Sequence, residues 1–107
     1  MTVDEYAEIL LERRLQFVHD GYYLNKEGQT GYRATYQRSS AYFWYSVSNS
    51  EAPIAPDEVA RAITDPGRDI RRENRYFNRN LREGFEATVR AGDHSFMLSA
   101  APDPRRV

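Results

Sequence analysis

The stretch AYFWYSV, residues 41–47, is the most apolar run in the chain and contains neither glycine nor proline. Aromatic and β-branched residues favour a pleated strand, so this run predicts a strand at the centre of the fold. Because side chains alternate across a strand, Phe43 and Tyr45 share one face, while Tyr42 and Trp44 share the other. We expect Phe43 and Tyr45 to be buried in the core. Tyr42 and Trp44, on the other face, need either a covering element or a ligand.

Two more strands are predicted before this run, at residues 22–25 and 31–38, joined by a loop that contains Gly28. If Ser39 and Ser40 form a two-residue turn, one register keeps every apolar pair on a single face. That register places Tyr36 opposite Phe43, Ala34 opposite Tyr45 and Tyr32 opposite Val47.

The outward face of these strands gathers three aromatic residues and one arginine: Tyr23, Arg33, Tyr42 and Trp44. Rings beside arginine suit the stacking of unpaired bases. They also suit a protein interface, where Trp, Tyr and Arg supply much of the binding energy. The alternative is that a helix simply covers them.

The N-terminal segment predicts a helix over residues 3–18. Thr2 and Glu5 have the spacing of a capping box, and Asp20 with Gly21 marks the end. The apolar residues of this helix spread over more than the roughly 100° stripe that is typical of a surface helix. We therefore expect it to lie deep against the sheet and to contact a second element, or a second subunit in a homo-oligomer. The predicted core consists of Leu10, Phe17, Phe43, Tyr45, Val89 and Phe96.

The second half of the chain begins with a short helix at residues 56–63, where Pro56 stands at the first helical position. Asp65 can cap a further helix, and residues 68–83 fit one, with Ile70 and Phe77 on a common side. A strand at residues 75–80 is the alternative. A C-terminal hairpin about Gly92-Asp93 follows, with Val89 opposite Phe96 and Ala87 opposite Leu98.

A helix over residues 68–82 would align six arginines within an arc of about 100°. They are Arg68, Arg71, Arg72, Arg75, Arg79 and Arg82. Like charges at helical spacing repel, so such a row favours contact with phosphates or with an acidic surface. The alternative is that the arginines form a solvent-exposed face whose charge is partly neutralised by flanking carboxylates.

The composition excludes several classes of protein. With 107 residues and no cysteine, the chain has no disulfide scaffold, cysteine-bound zinc or thiol catalysis. The net charge of −1 argues against a protein that coats nucleic acid through overall charge. His19 and His94 lack metal-ligand spacing, and no nucleophile or phosphate-loop motif occurs. We therefore expect no metal, no cofactor and no catalytic residue.

The segment 75–82, RYFNRNLR, follows an aromatic strand and a helix begun by proline. Over about half of the chain this arrangement resembles the small bacterial KTSC domain. That resemblance implies binding to RNA.

We predict one soluble, cytoplasmic α+β domain over residues 1–107, with a tail at 102–107, no membrane span and no internal repeat. An N-terminal helix, a three-stranded antiparallel meander, one or two short helices and a C-terminal β-hairpin make up this fold. The helices pack on a mainly antiparallel sheet. The order of the strands between meander and hairpin does not follow from the sequence.

The arginines and the aromatic face favour a small non-catalytic binding protein of the inhibitor, adaptor or accessory type. Its expected partner is a larger acidic protein or a ribonucleoprotein complex. The first alternative is direct binding of single-stranded RNA or DNA. The second is a small metal-independent ribonuclease that uses His94 with arginine and tyrosine from distant positions.

Overall fold

The computed structural model describes residues 1–77 and 83–102, which form two helices and six strands. In chain order these are α1 (Val3–Leu10), β1 (Gln16–Leu24), β2 (Thr30–Arg38), β3 (Ala41–Val47), α2 (Pro56–Ile63), β4 (Asp69–Phe77), β5 (Glu83–Ala91) and β6 (His94–Pro102). All six strands join one antiparallel sheet in the order β1-β2-β3-β6-β5-β4. The protein therefore has an α+β fold, as predicted.

The two hairpins at the centre of the sheet have the predicted registers. Tyr36 lies opposite Phe43, and Val89 lies opposite Phe96. The strands β3 and β6 then pair with each other, which the sequence did not indicate. The aromatic run of β3 is therefore in the middle of the sheet, and β1 and β4 are its edges.

The chain consists of two structural repeats of the form αβββ. Each helix or strand of the second half begins 53 residues after its counterpart in the first half. A break in the pairing register recurs at the same interval, between Phe17 and His19 in β1 and between Ile70 and Arg72 in β4. Identical residues at this spacing are sparse, and include Asp4 and Asp57, Ala7 and Ala60, Gly31 and Gly84, Ala34 and Ala87, Thr35 and Thr88, Phe43 and Phe96, and Ser46 and Ser99. The expectation of no internal repeat is therefore wrong.

Helix α1 is shorter than predicted, because it ends at Leu10 and residues 16–24 form β1. The predicted cap at its start is present, since Oγ1 of Thr2 accepts a hydrogen bond from the amide of Glu5 at 3.2 Å. Charged residues 12–14 separate the helix from β1, and the aromatic and β-branched residues that follow favour an extended backbone. The predicted helix had an unusually wide apolar face because some of its apolar residues, Phe17 and Val18, belong to β1 instead.

The predicted helix over residues 68–83 is also wrong, because residues 69–77 form the edge strand β4. Its backbone pairs with β5, and this non-local pairing outweighs the helical pattern of Ile70 and Phe77. The alternative of a strand at residues 75–80 is correct for residues 75–77, and residues 78–80 lie outside the described part of the chain. The carboxylate of Asp65 accepts the amide of Gly67 at 2.8 Å, which makes a turn rather than the cap of a further helix. Pro102, assigned to a tail, ends β6, and residues 103–107 lie outside the described part of the chain.

The core lies between the two helices and one face of the sheet. Phe43, Val89 and Phe96 are buried together with Leu10, as predicted. Phe17 is not part of it, because the side chain stands on the edge strand β1 and is 57 % exposed. In the described residues, neither helix has the length and apolar character needed to cross a membrane.

Candidate binding face of the sheet

The face of the sheet opposite the helices is the candidate functional site, and we call it the open face. It is formed by alternate residues of the strands, among them His19, Tyr23, Arg33, Thr35, Gln37, Tyr42, Trp44, Ser46, Asp69, Arg72, Asn74, Glu86, Thr88, Arg90, Ser95, Met97 and Ser99. Both helices bury their apolar sides in the core on the other face. In the described part of the chain, no helix covers the open face.

Trp44 and Met97 form the centre of the open face. Trp44 lies opposite Ser99, and Met97 lies opposite Ser46, so the two large side chains are diagonal neighbours on β3 and β6. Trp44 is 37 % exposed and Met97 is 60 % exposed. Large apolar side chains at the middle of a sheet face are normally covered, so their exposure makes this face the candidate surface for contact.

The backbone beneath Trp44 is held from the helix side. The buried hydroxyl of Tyr6 in α1 donates to the carbonyl oxygen of Trp44 at 2.9 Å. Burial raises the pKa of this hydroxyl well above its ordinary value, so the group stays protonated as a donor. The core thus fixes the strand that carries the centre of the open face.

The four residues predicted from the aromatic pattern all lie on the open face. Tyr23 lies opposite Gly31, and a Cβ atom at Gly31 would collide with the ring of Tyr23. The guanidinium of Arg33 lies over the same ring, 5.3 Å from its centroid. Glycine therefore lets the ring lie down on the sheet, and the ring in turn positions Arg33 beside the centre of the face.

The six predicted arginines do not form one stripe, because alternation along β4 divides them between the two faces. Arg72 lies on the open face, where its Nη2 is 2.9 Å from Oε1 of Glu86. Arg75 points to the other face and pairs with Glu83 at 3.3 Å. Arg71 lies at the register break and pairs with Asp69 at 2.6 Å. Arg79 and Arg82 lie outside the described residues.

Arg68 has a structural role away from the open face. Its Nη1 lies 2.6 Å from Oδ1 of Asp4 and also donates to the carbonyl oxygen of Ile63 at 2.7 Å, near the end of α2. The hydrogen bond from Arg68 lowers the pKa of the Asp4 carboxyl. This arginine therefore ties the start of α1 to the end of α2.

Two arginines of the open face have no carboxylate within salt-bridge distance among the residues described. Arg33 stands on β2 and Arg90 on β5, on opposite flanks of the centre. The pair Arg72 and Glu86 neutralises itself, and Asp69, which lies opposite Arg90, is already paired with Arg71. The open face thus carries two positive charges that remain available to a partner.

Neither histidine belongs to a group of metal ligands in the described part of the chain. Nδ1 of His94 lies 2.8 Å from the carbonyl oxygen of Ser48, and since a carbonyl can only accept, the proton is on Nδ1. His94 lines a polar cavity of about 390 Å³ that also contains Arg90 and Asp93. Across residues 1–77 and 83–102, no three His, Asp or Glu side chains come together as metal ligands.

No protein family model, curated protein or solved structure matches this chain. The resemblance to the KTSC domain therefore has no support from a family match. Part of the segment that suggested it belongs to the edge strand β4, and its remainder lies outside the described residues. The function has to be argued from the open face itself.

Sequence reasoning missed half of the open face. Met97 alternates with the buried residues Phe96 and Leu98, so it stands on the outward side of its hairpin, a signal that the sequence analysis did not use. It did not show that β6 lies beside β3, which brings Met97 next to Trp44. The available signal was a comparison of the sequence with itself at a spacing of 53 residues, because it identifies β3 and β6 as equivalent strands of two repeats.

Proposed function

We propose that this protein is a small non-catalytic binding protein that docks a larger partner protein on the open face of its sheet. The observation that carries the proposal is the exposure of Trp44 and Met97 at the centre of a face that nothing in the described chain covers. A partner would bury both side chains, which is the usual arrangement of an interface centre.

The composition of the open face supports a protein partner. It combines Trp, Tyr, Met and Arg, the residue types that are enriched at interface centres, with Ser and Thr on the central strands. Glu86 is paired with Arg72. The face therefore presents apolar area with few charges that would have to be dehydrated alone.

The remaining charges favour an acidic partner surface. Arg33 and Arg90 flank the centre and lack carboxylates within salt-bridge distance in the described chain. Carboxylates on a partner could pair with both, and the planar guanidinium allows two parallel hydrogen bonds to each. An acidic protein, or the protein part of a ribonucleoprotein, is the partner that this surface favours.

Direct binding of single-stranded nucleic acid is the second candidate, and one observation favours it. Arg33, held on the ring of Tyr23, stands on the strand next to Trp44, so a base and its phosphate could be contacted together. The loss of the arginine stripe weakens this candidate, because Arg71, Arg72 and Arg75 are each matched by a carboxylate. We therefore rank it below a protein partner.

The test is capture of a partner by the immobilised full chain and by two variants. Trp44→Ala should lose the partner, since truncation at an interface centre commonly costs at least about 2 kcal/mol, or roughly thirtyfold in affinity. The matched control is Leu11→Ala, an exposed apolar residue on the helix side. A partner that both variants retain would place the interface elsewhere.

A titration of labelled single-stranded oligonucleotide at two salt concentrations separates the two candidates. A protein-docking surface predicts flat anisotropy curves at both. Binding that weakens with salt, and that Arg33→Ala makes less salt-dependent by about one phosphate contact, would favour the nucleic-acid function instead.

A further inference from the structure

The two edge strands are equivalent in the repeat but carry different side chains. Val18 and Tyr22 on β1 are 41 % and 50 % exposed. The residues 53 positions later, on β4, are Arg71 and Arg75. Charged side chains on an edge strand prevent other strands from pairing with it, and β4 has this protection while β1 lacks it.

Apolar exposure concentrates along β1. Four of the nine large hydrophobic residues that are exposed in the described chain belong to this strand: Phe17, Val18, Tyr22 and Leu24. The only carboxylate of β1 is Asp20, which already accepts a hydrogen bond from the hydroxyl of Tyr32 at 3.1 Å. The strand therefore offers an apolar surface together with an outward row of backbone hydrogen-bonding groups.

The backbone restricts what can cover β1. Among the described residues this strand pairs on one side only, with β2. Water can satisfy its outward N–H and C=O groups, but the protein element that can pair with the whole row is another extended strand. A helix or a folded surface would cover the side chains but leave the backbone groups to water.

We propose that β1 pairs antiparallel with β1 of a second copy of this chain, so that two sheets join into one of twelve strands. A two-fold axis through Gly21 makes this edge self-complementary, as a closed dimer requires. The two glycines then lie opposite each other, and Asp20 lies opposite Tyr22 of the second copy. The two Asp20 carboxylates do not face each other, and each lies beside a phenol that can donate to it.

The pairing also determines which charged side chains meet at the strand ends. Arg13 and Arg14 precede β1, are exposed, and have no carboxylate within salt-bridge distance in the described chain. Antiparallel pairing brings them beside the loop of the second copy that holds Lys26 and Glu27. In this loop, Glu27 is the carboxylate with which Arg13 or Arg14 of the other copy can pair, while Lys26 leaves the loop without net charge.

The dimer has a consequence for binding. The two-fold axis is perpendicular to the sheet, so both open faces point the same way. The assembly would present two copies of the binding face on one side, and a partner with two docking sites would gain affinity from both. Dimerisation through β1 leaves Trp44 and Met97 uncovered, so it is independent of the proposed function.

The test is the solution mass of the full chain by sedimentation equilibrium, over about 1 to 100 μM, a range that reveals micromolar dissociation constants. The expected mass is twice the chain mass of 12.5 kDa. Val18→Arg and Tyr22→Arg give β1 the residues that β4 has at the equivalent positions, and each should yield a monomer. Circular dichroism melts of both variants show whether they remain folded.

The matched control is Met97→Arg, which places the same charge on the open face and should leave the dimer intact. A wild-type chain that is monomeric over the whole range overturns the proposal. So does a dimer that Met97→Arg dissociates and Tyr22→Arg does not, since that result would make the open face the contact between copies.

Discussion

Trp44 on β3 and Met97 on β6 are diagonal neighbours across the central strand pair, and they occupy equivalent positions of the two repeats. The pseudo-two-fold axis of the molecule therefore passes between the two large hydrophobic side chains that are exposed on the open face. Each repeat contributes one of them, so the centre of the face exists only where the two halves meet. A single αβββ unit would present half of this surface.

Intrinsic fluorescence should report directly on this face, because Trp44 is the only tryptophan in the chain. In the free protein, acrylamide should quench its emission readily, since the side chain is partly exposed. A bound partner should shield the indole and shift the emission to shorter wavelength. Quenching as slow as that of a fully buried indole would show that some element covers the open face.

Two phenylalanines that the sequence assigned to the core should behave differently when truncated. Phe96 is 2 % exposed and Phe17 is 57 % exposed. Phe96→Ala should lower the free energy of unfolding by about 3–5 kcal/mol, the usual cost of removing a buried aromatic ring. Phe17→Ala should cost less than about 1 kcal/mol, as expected of an exposed side chain.

Urea melts of both variants, at a protein concentration low enough to avoid association, give the comparison. Equal losses would mean that β1 packs against the core in solution. A small loss for Phe96→Ala would mean that the final hairpin is not part of the core.

The sequence predicted the parts of the fold that depend on local pattern. In residues 31–47, the alternation of apolar and polar residues about a two-residue turn was enough to predict that Tyr36 lies opposite Phe43. The same reasoning predicted that Val89 lies opposite Phe96. Pro56, followed by Asp57 and Glu58 in the first turn, was enough to predict where α2 begins. These signals act over a few residues, where no distant partner can change the outcome.

The parts that failed depend on distant pairing. Whether residues 69–77 are a helix or a strand is decided by β5, and nothing within the segment reveals that partner. The aromatic face was predicted because its residues lie within one meander of neighbouring strands. The prediction of an arginine stripe assumed a helix, whereas side chains of a strand alternate between its two faces, so Arg72 and Arg75 lie on opposite faces. Met97 was missed because the order of strands in the sheet is itself a long-range property.

Gly31 should be sensitive to substitution because of the ring that lies on it. A Cβ atom at this position would meet the ring of Tyr23, so Gly31→Ala should displace the ring and release Arg33 from it. Crowding of this kind costs about 1–3 kcal/mol. Gly21→Ala is the matched control, since a Cβ there meets nothing within 4 Å.

The measurement is the difference in unfolding free energy between these variants, with the ring proton shifts of Tyr23 followed by NMR. Gly31→Ala should perturb those shifts. If its melting and its spectrum matched those of Gly21→Ala, the ring would not lie on the sheet in solution.

The protein should show no ribonuclease activity. His94 has its Nδ1 proton directed to a backbone carbonyl, and no side chain in the described chain lies within hydrogen-bond distance of its ring to form a catalytic pair. Metal-free incubation with mixed RNA should give the same background for the wild type and for His94→Ala. Cleavage that the variant loses would make the polar cavity beside Arg90 an active site.

The ion pair between Asp4 and Arg68 should make stability depend on acid pH. The pKa of the Asp4 carboxyl lies below its ordinary value of 3.8, first because Arg68 donates a hydrogen bond to it. A carboxyl with a lowered pKa in the folded state contributes stability that is complete above the ordinary pKa and is lost as the pH falls through the folded value. Wild type should therefore exceed Asp4→Asn in unfolding free energy at pH 6, and the difference should shrink below about pH 4.

The matched control for this pair is Asp57→Asn, at the equivalent position of α2. The carboxylate of Asp57 lies 3.6 Å from Arg61, and both side chains are well exposed, so its removal should cost less at pH 6 than the removal of Asp4. Chemical melts at pH 6 and at about pH 3 measure both differences, the lower value being chosen to fall below the ordinary pKa of an aspartate. A difference between wild type and Asp4→Asn that stays constant between the two pH values would show that the charge of Asp4 adds nothing to stability, so that its ion pair with Arg68 does not hold α1 to α2.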